Sequence, residues 1–165
     1  RILEISLHWP EKQDSLSVRS EDLITLAGQL LRDNPPAADS YTPGELVSLL
    51  EQAASPVDGA GAADPYSALT GQPANLLSHT LALELLLQQA GFDVTFVNGM
   101  VNGADTCWLI VDAGEGYRHL LLTDETPALY TDLELTALGY LWNADLYPDC
   151  VDYDTALSTT QTPGE

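Results

Sequence analysis

One strongly apolar helix constrains the fold of this chain more than any other stretch. In residues 74–91, ANLLSHTLALELLLQQAG, leucine recurs so often that the predicted helix has almost no polar side, whereas a surface helix keeps a broad polar face. Asn75 is suited to cap its start, and Gly91 stands where a left-handed residue ends a helix. We therefore predict a buried central helix. Its first turn is a candidate functional site, because unpaired backbone N–H groups there favour anions, ligands and nucleophiles.

The stretch before this helix predicts one strand and two helices. Alternating apolar side chains over residues 3–9 predict the strand, and an amphipathic helix follows with its cap at Ser20. Thr42 and Glu45 form a capping box with a proline between them, which opens a second helix. A loop rich in Gly, Ala, Pro and Asp covers residues 55–65. It serves either as a plain linker or as a cover over the groove in front of the central helix.

The stretch after the helix predicts a small sheet. Three β-rich runs, DVTFVNGM, TCWLIVDA and YRHLLLTD, are separated by turns that contain glycine, and they predict a three-stranded antiparallel meander. Thr131 and Glu134 form a second capping box, which opens a short helix closed by Gly139. Helices followed by an antiparallel meander indicate the α+β class.

Length and composition favour one domain. A chain of 165 residues with 45% hydrophobic residues is long enough for a single core and too short for two comfortable ones. We place this domain at residues 1–150 and expect residues 151–165 to form a polar, loosely ordered tail. The chain opens at Arg1 inside a strand-like pattern, which is typical of a piece trimmed from a longer protein.

The charge of the chain excludes several functions. A formal net charge of -20, with 5 Lys+Arg against 25 Asp+Glu, argues against binding nucleic acid or an anionic membrane. No apolar run is long enough to insert into a bilayer, and no spacing resembles a calcium loop, so we expect no metal and no cofactor. The near-absence of lysine is compatible with an exported or cell-surface protein. The acidity itself allows an acidic scaffold that recruits a basic partner.

The motifs of residues 64–150, in their order and spacing, resemble the transglutaminase-like superfamily of papain-like cysteine peptidases, particularly its bacterial extracellular members. YSALTGQ leads into the helix LALELLLQQAGFDV, the strands VTFVNGM, TCWLIVD and YRHLLLTD follow, and LTALGYLWNADLYPDC comes last. The resemblance implies a central buried helix packed on an antiparallel sheet, with an N-terminal helical lead-in. It also implies acyl-transfer chemistry through a thioester in active members.

The catalytic positions of that family are all replaced here. Its nucleophilic cysteine stands in the first turn of the central helix, where this chain has Asn75 or Leu76, depending on the end from which the position is counted. The family's histidine position, two residues before Trp108, holds Thr106, and the aspartate position holds Leu121. The resemblance therefore implies the fold and a degenerate triad, because none of these side chains is a nucleophile or a base.

Other polar and aromatic side chains are candidates for lining a remaining groove. They are Ser78, Trp108, His119 and Asp124. His79 follows Ser78 directly, but adjacent helical positions point about 100° apart, so the two do not form a nucleophile–base pair. The C-terminal aromatic residues Tyr140, Trp142 and Tyr147 are expected to pack over the sheet with Trp108, with a ligand-stacking platform as the alternative.

The two cysteines, Cys107 and Cys150, are either buried free thiols or a disulfide pair. Strand alternation points Cys107 to the face opposite Thr106 and Trp108. A reactive Cys107 is the less favoured interpretation.

Three functions follow from these observations. The first is a catalytically inactive transglutaminase-like module of an exported or cell-surface protein, which binds a protein, a peptide or a glycan. The second is a diverged cysteine or acyl hydrolase that uses a new constellation, such as His119 with Asp124 or Cys107. The third is the acidic scaffold.

Overall fold

The computed structural model of this protein describes residues 13–122 and 129–152, with side chains described from Ser20 onward. The predicted strand at residues 3–9 and Asp124 lie outside the described residues, as does the predicted tail beyond Asp152.

Five α-helices are present in the described part of the chain. They are α1 Gln13–Asp33, α2 Pro43–Ala53, α3 Pro65–Leu69, α4 Leu76–Gln89 and α5 Asp132–Ala137. The capping boxes predicted at the starts of α2 and α5 are both confirmed. The prediction that α1 begins at Ser20 is wrong: the helix begins at Gln13, since no proline or glycine separates the polar segment there from the apolar one. Within these helices, none has both the length and the apolar composition that crossing a bilayer requires.

A five-stranded antiparallel sheet lies against the helices. Its strands are β2 Val94–Val101, β3 Ala104–Asp112, β4 Tyr117–Leu120, β5 Leu129–Tyr130 and β6 Tyr140–Leu141, in the order β5-β4-β3-β2-β6. The meander β2-β3-β4 is confirmed, and the two short edge strands add to it. An extended segment, β1 Val57–Ala62, stays outside this sheet and bridges to Ala74 just before α4. The chain is thus a mixed α and β fold with an antiparallel sheet.

Tight turns join the strands of the meander. Asn102 and Gly103 connect β2 to β3 with φ values of 52° and 80°. Both values lie in the left-handed region, which glycine and asparagine tolerate best, and two such residues match the twist of a hairpin. Val94 pairs with Val111 at the far end of this hairpin, so the two strands align along their whole length.

The helix α4 lies at the centre of the fold, as predicted. It contacts α1, α2, α3, β1, β2 and β3. The side chain of Asn75 caps its start by accepting a hydrogen bond from the Ser78 backbone N–H at 3.0 Å. Gly91 follows its end with φ 91°. One side of the helix is buried, whereas Leu81 and Leu85 on the other side are half-buried and Leu77 is 37% exposed, so the apolar composition extends onto the outward side.

The sheet separates two cores. The helical core lies between the helices and one face of the sheet, and it includes Leu83, Leu86 and Leu87 of α4 with Leu109 and Leu120 of the sheet. The aromatic core lies on the other face, under α5 and the C-terminal segment. Its buried members are Val97, Trp108, Ile110, Leu121, Leu135 and Cys150, and Tyr117, Tyr130, Tyr140, Trp142 and Tyr147 pack against them. The predicted packing of the C-terminal aromatic residues over the sheet is therefore confirmed.

Candidate functional site

The three degenerate triad positions do not meet in one place. Asn75 and Leu76 lie at the start of α4, on the helical side of the sheet. Thr106 alternates with Cys107 and shares the face of Trp108, which belongs to the aromatic core. Leu121 is buried in the same core with 4% of its surface exposed. The sheet thus stands between the α4 start and the other two positions, and this arrangement assembles no triad.

Three of the four groove candidates are interior side chains. Ser78 and His119 are 0% exposed and Trp108 is 1% exposed, so none of them lines a surface groove. Asp124, the fourth, lies outside the described residues. The Ser78 hydroxyl donates to the carbonyl oxygen of Ala62, and the Asn75 N–H donates to the same oxygen at 3.0 Å. The Ser78 side chain therefore has a structural role: its hydrogen bond connects β1 to the start of α4.

The two cysteines are free thiols on opposite sides of the sheet. Cys107 faces α4, where its sulfur lies 3.6 Å from Thr80 Oγ1, whereas Cys150 is fully buried in the aromatic core. Burial raises the pKa of Cys107 and raises the pKa of Cys150 to about 12. His119 lies on the side of Cys150 and not of Cys107. A thiolate paired with an imidazole, which cysteine catalysis requires, is therefore not formed at Cys107.

A buried hydrogen-bond chain crosses the aromatic core. Trp108 Nε1–H donates to His119 Nδ1 at 2.9 Å, and His119 Nε2 lies 2.8 Å from Asp132 Oδ1. The other oxygen of Asp132 accepts the backbone N–H of Cys150 at 2.9 Å. Since an indole nitrogen only donates, His119 Nδ1 must accept, and the proton of the neutral ring is on Nε2. These hydrogen bonds therefore connect β3, β4, α5 and the C-terminal segment.

Three residues of this hydrogen-bonded network also carry donor atoms of the kinds that bind metal ions. Donor atoms of His119, Asp132 and Cys150 lie within 4.8 Å of one another, and imidazole, carboxylate and thiolate are all zinc ligands. However, the Trp108 N–H occupies the lone pair of His119 and leaves a proton on Nε2, the nitrogen that faces Asp132. Burial also raises the pKa of the Cys150 thiol. In this arrangement the cluster is a hydrogen-bonded core, and a metal ion would have to displace the protons of His119 Nε2 and Cys150 Sγ to bind there.

The pH dependence of stability tests this network. Burial lowers the pKa of His119, and the hydrogen bond and charge of Asp132 oppose that shift only in part. The unfolded chain has the ordinary histidine pKa of 6.5, so below that pH it binds a proton that the folded state rejects. The free energy of unfolding is therefore expected to decrease from about pH 7 to about pH 5, measured by urea denaturation.

The control is His119→Gln, which keeps a donor and an acceptor in the network but does not titrate. Glu84, whose pKa is raised by burial, and Glu45 and Glu134, whose pKa values are lowered by backbone hydrogen bonds, titrate in both proteins. The difference between wild type and variant therefore isolates His119. Equal slopes in the two proteins between these pH values contradict a neutral buried imidazole.

An open cavity lies at the start of α4. Its volume is about 760 Å³, and six apolar residues line it: Leu50, Ala54, Pro56, Val57, Leu76 and Leu122. They come from the end of α2, the segment leading into β1, the first turn of α4 and the residues after β4. Residues 55–57 of the loop thus contribute part of the wall of this cavity. The linker and cover interpretations of the loop both stay predictions.

Three polar residues complete the cavity: Glu51, Ser55 and His79. The imidazole of His79 lies between two backbone carbonyl oxygens, with Nδ1 2.9 Å from Asn75 O and Nε2 2.8 Å from Ser55 O. The Ser55 hydroxyl donates instead to Gly71 O at 2.5 Å. Serine, histidine and glutamate therefore share a cavity without the hydroxyl-to-imidazole hydrogen bond that activates a nucleophile.

Sequence reasoning missed Glu51 and Ser55. Both come from the segment at the end of α2, which lies far from α4 in the chain and is brought to it by folding. The composition of the loop at residues 55–65 was the only signal, and it indicated a cover without indicating which side chains face the cavity.

Comparisons of the chain with protein-family models, with curated proteins and with solved structures found no match. The interpretation of the site therefore depends on its geometry and on the sequence motifs.

Proposed function

We propose that this chain is a catalytically inactive transglutaminase-like binding module whose ligand occupies the cavity at the start of α4. The observation that carries the proposal is the position of Leu76. Counting back from Gly91 puts the family's cysteine position at this residue, while counting forward from Gly71 puts it at Asn75, and the Leu76 side chain lines an open, mainly apolar cavity. A volume of about 760 Å³ falls in the range of small-ligand pockets, which runs from about 300 to 1,000 Å³. The papain-like arrangement of helix and sheet is part of the same proposal.

The chemistry of the cavity supports binding over turnover. An acyl-transfer site needs a nucleophile within hydrogen-bond reach of a base, and the one hydroxyl of the cavity wall, on Ser55, is directed to Gly71 O. The imidazole of His79 has both nitrogens on backbone carbonyl oxygens, so neither is directed at a substrate. The apolar wall, in contrast, gains free energy from any apolar group that displaces water from it.

The biological setting is also part of the proposal. We place the module in an exported or cell-surface protein, where a protein, peptide or glycan is the ligand. The support is compositional: 5 Lys+Arg in 165 residues and an acidic surface, together with the resemblance to bacterial extracellular proteins.

A pair of tryptophan substitutions tests the cavity. Leu76→Trp places a large ring in the cavity, while Leu77→Trp adds the same ring at a neighbouring side chain that is 37% exposed and does not line it. With the uncharged dye Nile red as an apolar probe, we expect Leu76→Trp to weaken binding about tenfold or more and Leu77→Trp to leave it near the wild-type value. Thermal melting of both variants checks that they fold.

Two results would overturn the proposal. One is equal probe binding by the two tryptophan variants. The other is transamidase, deamidase or peptidase turnover that disappears in a variant of His79 or Ser55, since an inactive module has no turnover to lose.

A further inference from the structure

We infer that the cavity at the start of α4 binds an apolar side chain adjacent to a positively charged group, such as a leucine followed by an arginine in an extended peptide. The inference rests on the proposed function and names the class of ligand. It combines two independent features of the cavity, its apolar wall and its local negative charge.

The apolar wall defines one half of the ligand. Leu50, Leu76 and Leu122 approach the cavity from three separate parts of the chain, and Pro56 and Val57 complete the rim. Val57 is 49% exposed, so part of its side chain is open to contact with a ligand. A leucine-sized side chain removes this surface from water and gains free energy roughly in proportion to the apolar area covered.

The end of α2 defines the other half. Glu51 lies in the last turn of that helix, is exposed and lines the cavity. The last turn of α2 contains no basic residue, so the partial negative charge of its carbonyl groups adds to the carboxylate of Glu51. Just beyond the helix, His79 Nε2 lies 2.8 Å from the carbonyl oxygen of Ser55 and compensates that one carbonyl group. A cation placed here is stabilised by both. The net charge of -20 attracts such ligands from a distance as well.

The start of α4 contributes a partial positive charge to the cavity, which is smaller than the negative charge of Glu51. A helix N-terminus is equivalent to roughly half a positive elementary charge, and the Asn75 side chain already accepts one of its N–H groups. The full charge of Glu51 together with the α2 carbonyl end exceeds this contribution. The cavity is therefore negative on the side of α2, and a ligand is oriented with its cation there.

Matched peptides separate the two halves of the inference. The probes are blocked tetrapeptides with the sequences Gly-Leu-Arg-Gly, Gly-Leu-citrulline-Gly and Gly-Gly-Arg-Gly, titrated by calorimetry or NMR. Citrulline has nearly the shape of arginine without its charge. We expect the Leu-Arg peptide to bind about fivefold tighter than the Leu-citrulline peptide, the scale of one exposed ion pair, and the Gly-Arg peptide to bind weakest.

A pair of charge variants then locates the charge. Glu51→Gln removes the carboxylate of the cavity, and Asp145→Asn removes one exposed carboxylate near the aromatic core. We expect Glu51→Gln to abolish most of the preference for arginine over citrulline and Asp145→Asn to preserve it. A preference that survives in Glu51→Gln shows attraction by the whole surface and overturns the inference.

The outcomes distinguish this inference from the proposed function. If both leucine peptides bind equally and Leu76→Trp abolishes both, the cavity binds apolar groups without a charge preference, so only the ligand class is wrong. If Leu76→Trp changes the binding of no leucine peptide, the cavity is not the binding site and both proposals are wrong.

Discussion

The substitution Asp132→Ala is expected to lower the free energy of unfolding by about 3 kcal/mol. The carboxylate of Asp132 accepts from His119 Nε2 and from the backbone N–H of Cys150, so its loss leaves two donors of the aromatic core without that partner. His119 is fully buried, whereas the Asp132 side chain is 32% exposed, so water that enters in place of the carboxylate restores part of the lost hydrogen bonding and keeps the destabilisation near the lower end of the range for a broken buried pair. Urea denaturation followed by tryptophan fluorescence measures the effect, because Trp108 and Trp142 both belong to this core.

The matched control is Asp145→Asn, which removes a carboxylate from an exposed side chain in the short 3-10 helix Ala144–Leu146. Surface substitutions of this kind change stability by about 0.5 kcal/mol or less. If Asp132→Ala and Asp145→Asn lower the free energy of unfolding equally, the hydrogen bonds that link Trp108, His119 and Asp132 do not stabilise the fold.

Replacing Gly99 with alanine is expected to destabilise the fold by about 3 kcal/mol. A Cβ atom at Gly99 would overlap the ring of Trp108, meeting its Cη2 and approaching its Cζ3 to 2.6 Å, and it would lie 2.5 Å from the backbone oxygen of Leu141. One obstacle is a buried ring and the other is the backbone of β6, so neither moves without disturbing the aromatic core. The melting temperature and the near-ultraviolet circular dichroism of the tryptophans report the change.

Gly59→Ala serves as the control, since no atom lies within 4 Å of a Cβ at that position. It is expected to be neutral or slightly stabilising, because alanine restricts the unfolded chain more than glycine does. A Gly99→Ala protein as stable as Gly59→Ala would show that Trp108 finds another position at little cost.

The elements that the sequence predicts well depend on local signals. Asn75, Thr42 and Thr131 cap the helices where expected, because a cap needs only a side-chain oxygen and the next few N–H groups of the same segment. The turn at Asn102 depends likewise on the residues of the turn itself. The predicted start of α1 at Ser20 is wrong because two adjoining segments of different polarity form one continuous helix from Gln13.

The site could not be predicted to the same degree, because its contacts join distant segments. Strand parity correctly separates Cys107 from Trp108, but parity alone does not show that the indole of Trp108 reaches His119 on the next strand. The motif-based expectation of a groove shared by Trp108 and His119 failed because these side chains bond to each other and fill the core. The cavity lies instead against α2, and its wall depends on how α2 and α4 pack.

The bond between Trp108 and His119 also determines the register of the sheet. The strand β4 has four residues, and its ladder pairs Leu109 with Leu120 and Ile110 with His119. A slip by one residue would turn every side chain of β4 to the opposite face and would bury His119 among the leucines of the helical core without a partner. A strand this short has few hydrogen bonds with which to select its own alignment. Because the hydrogen bond between Trp108 and His119 forms only in the observed alignment, it favours this strand pairing over the alignment that is shifted by one residue.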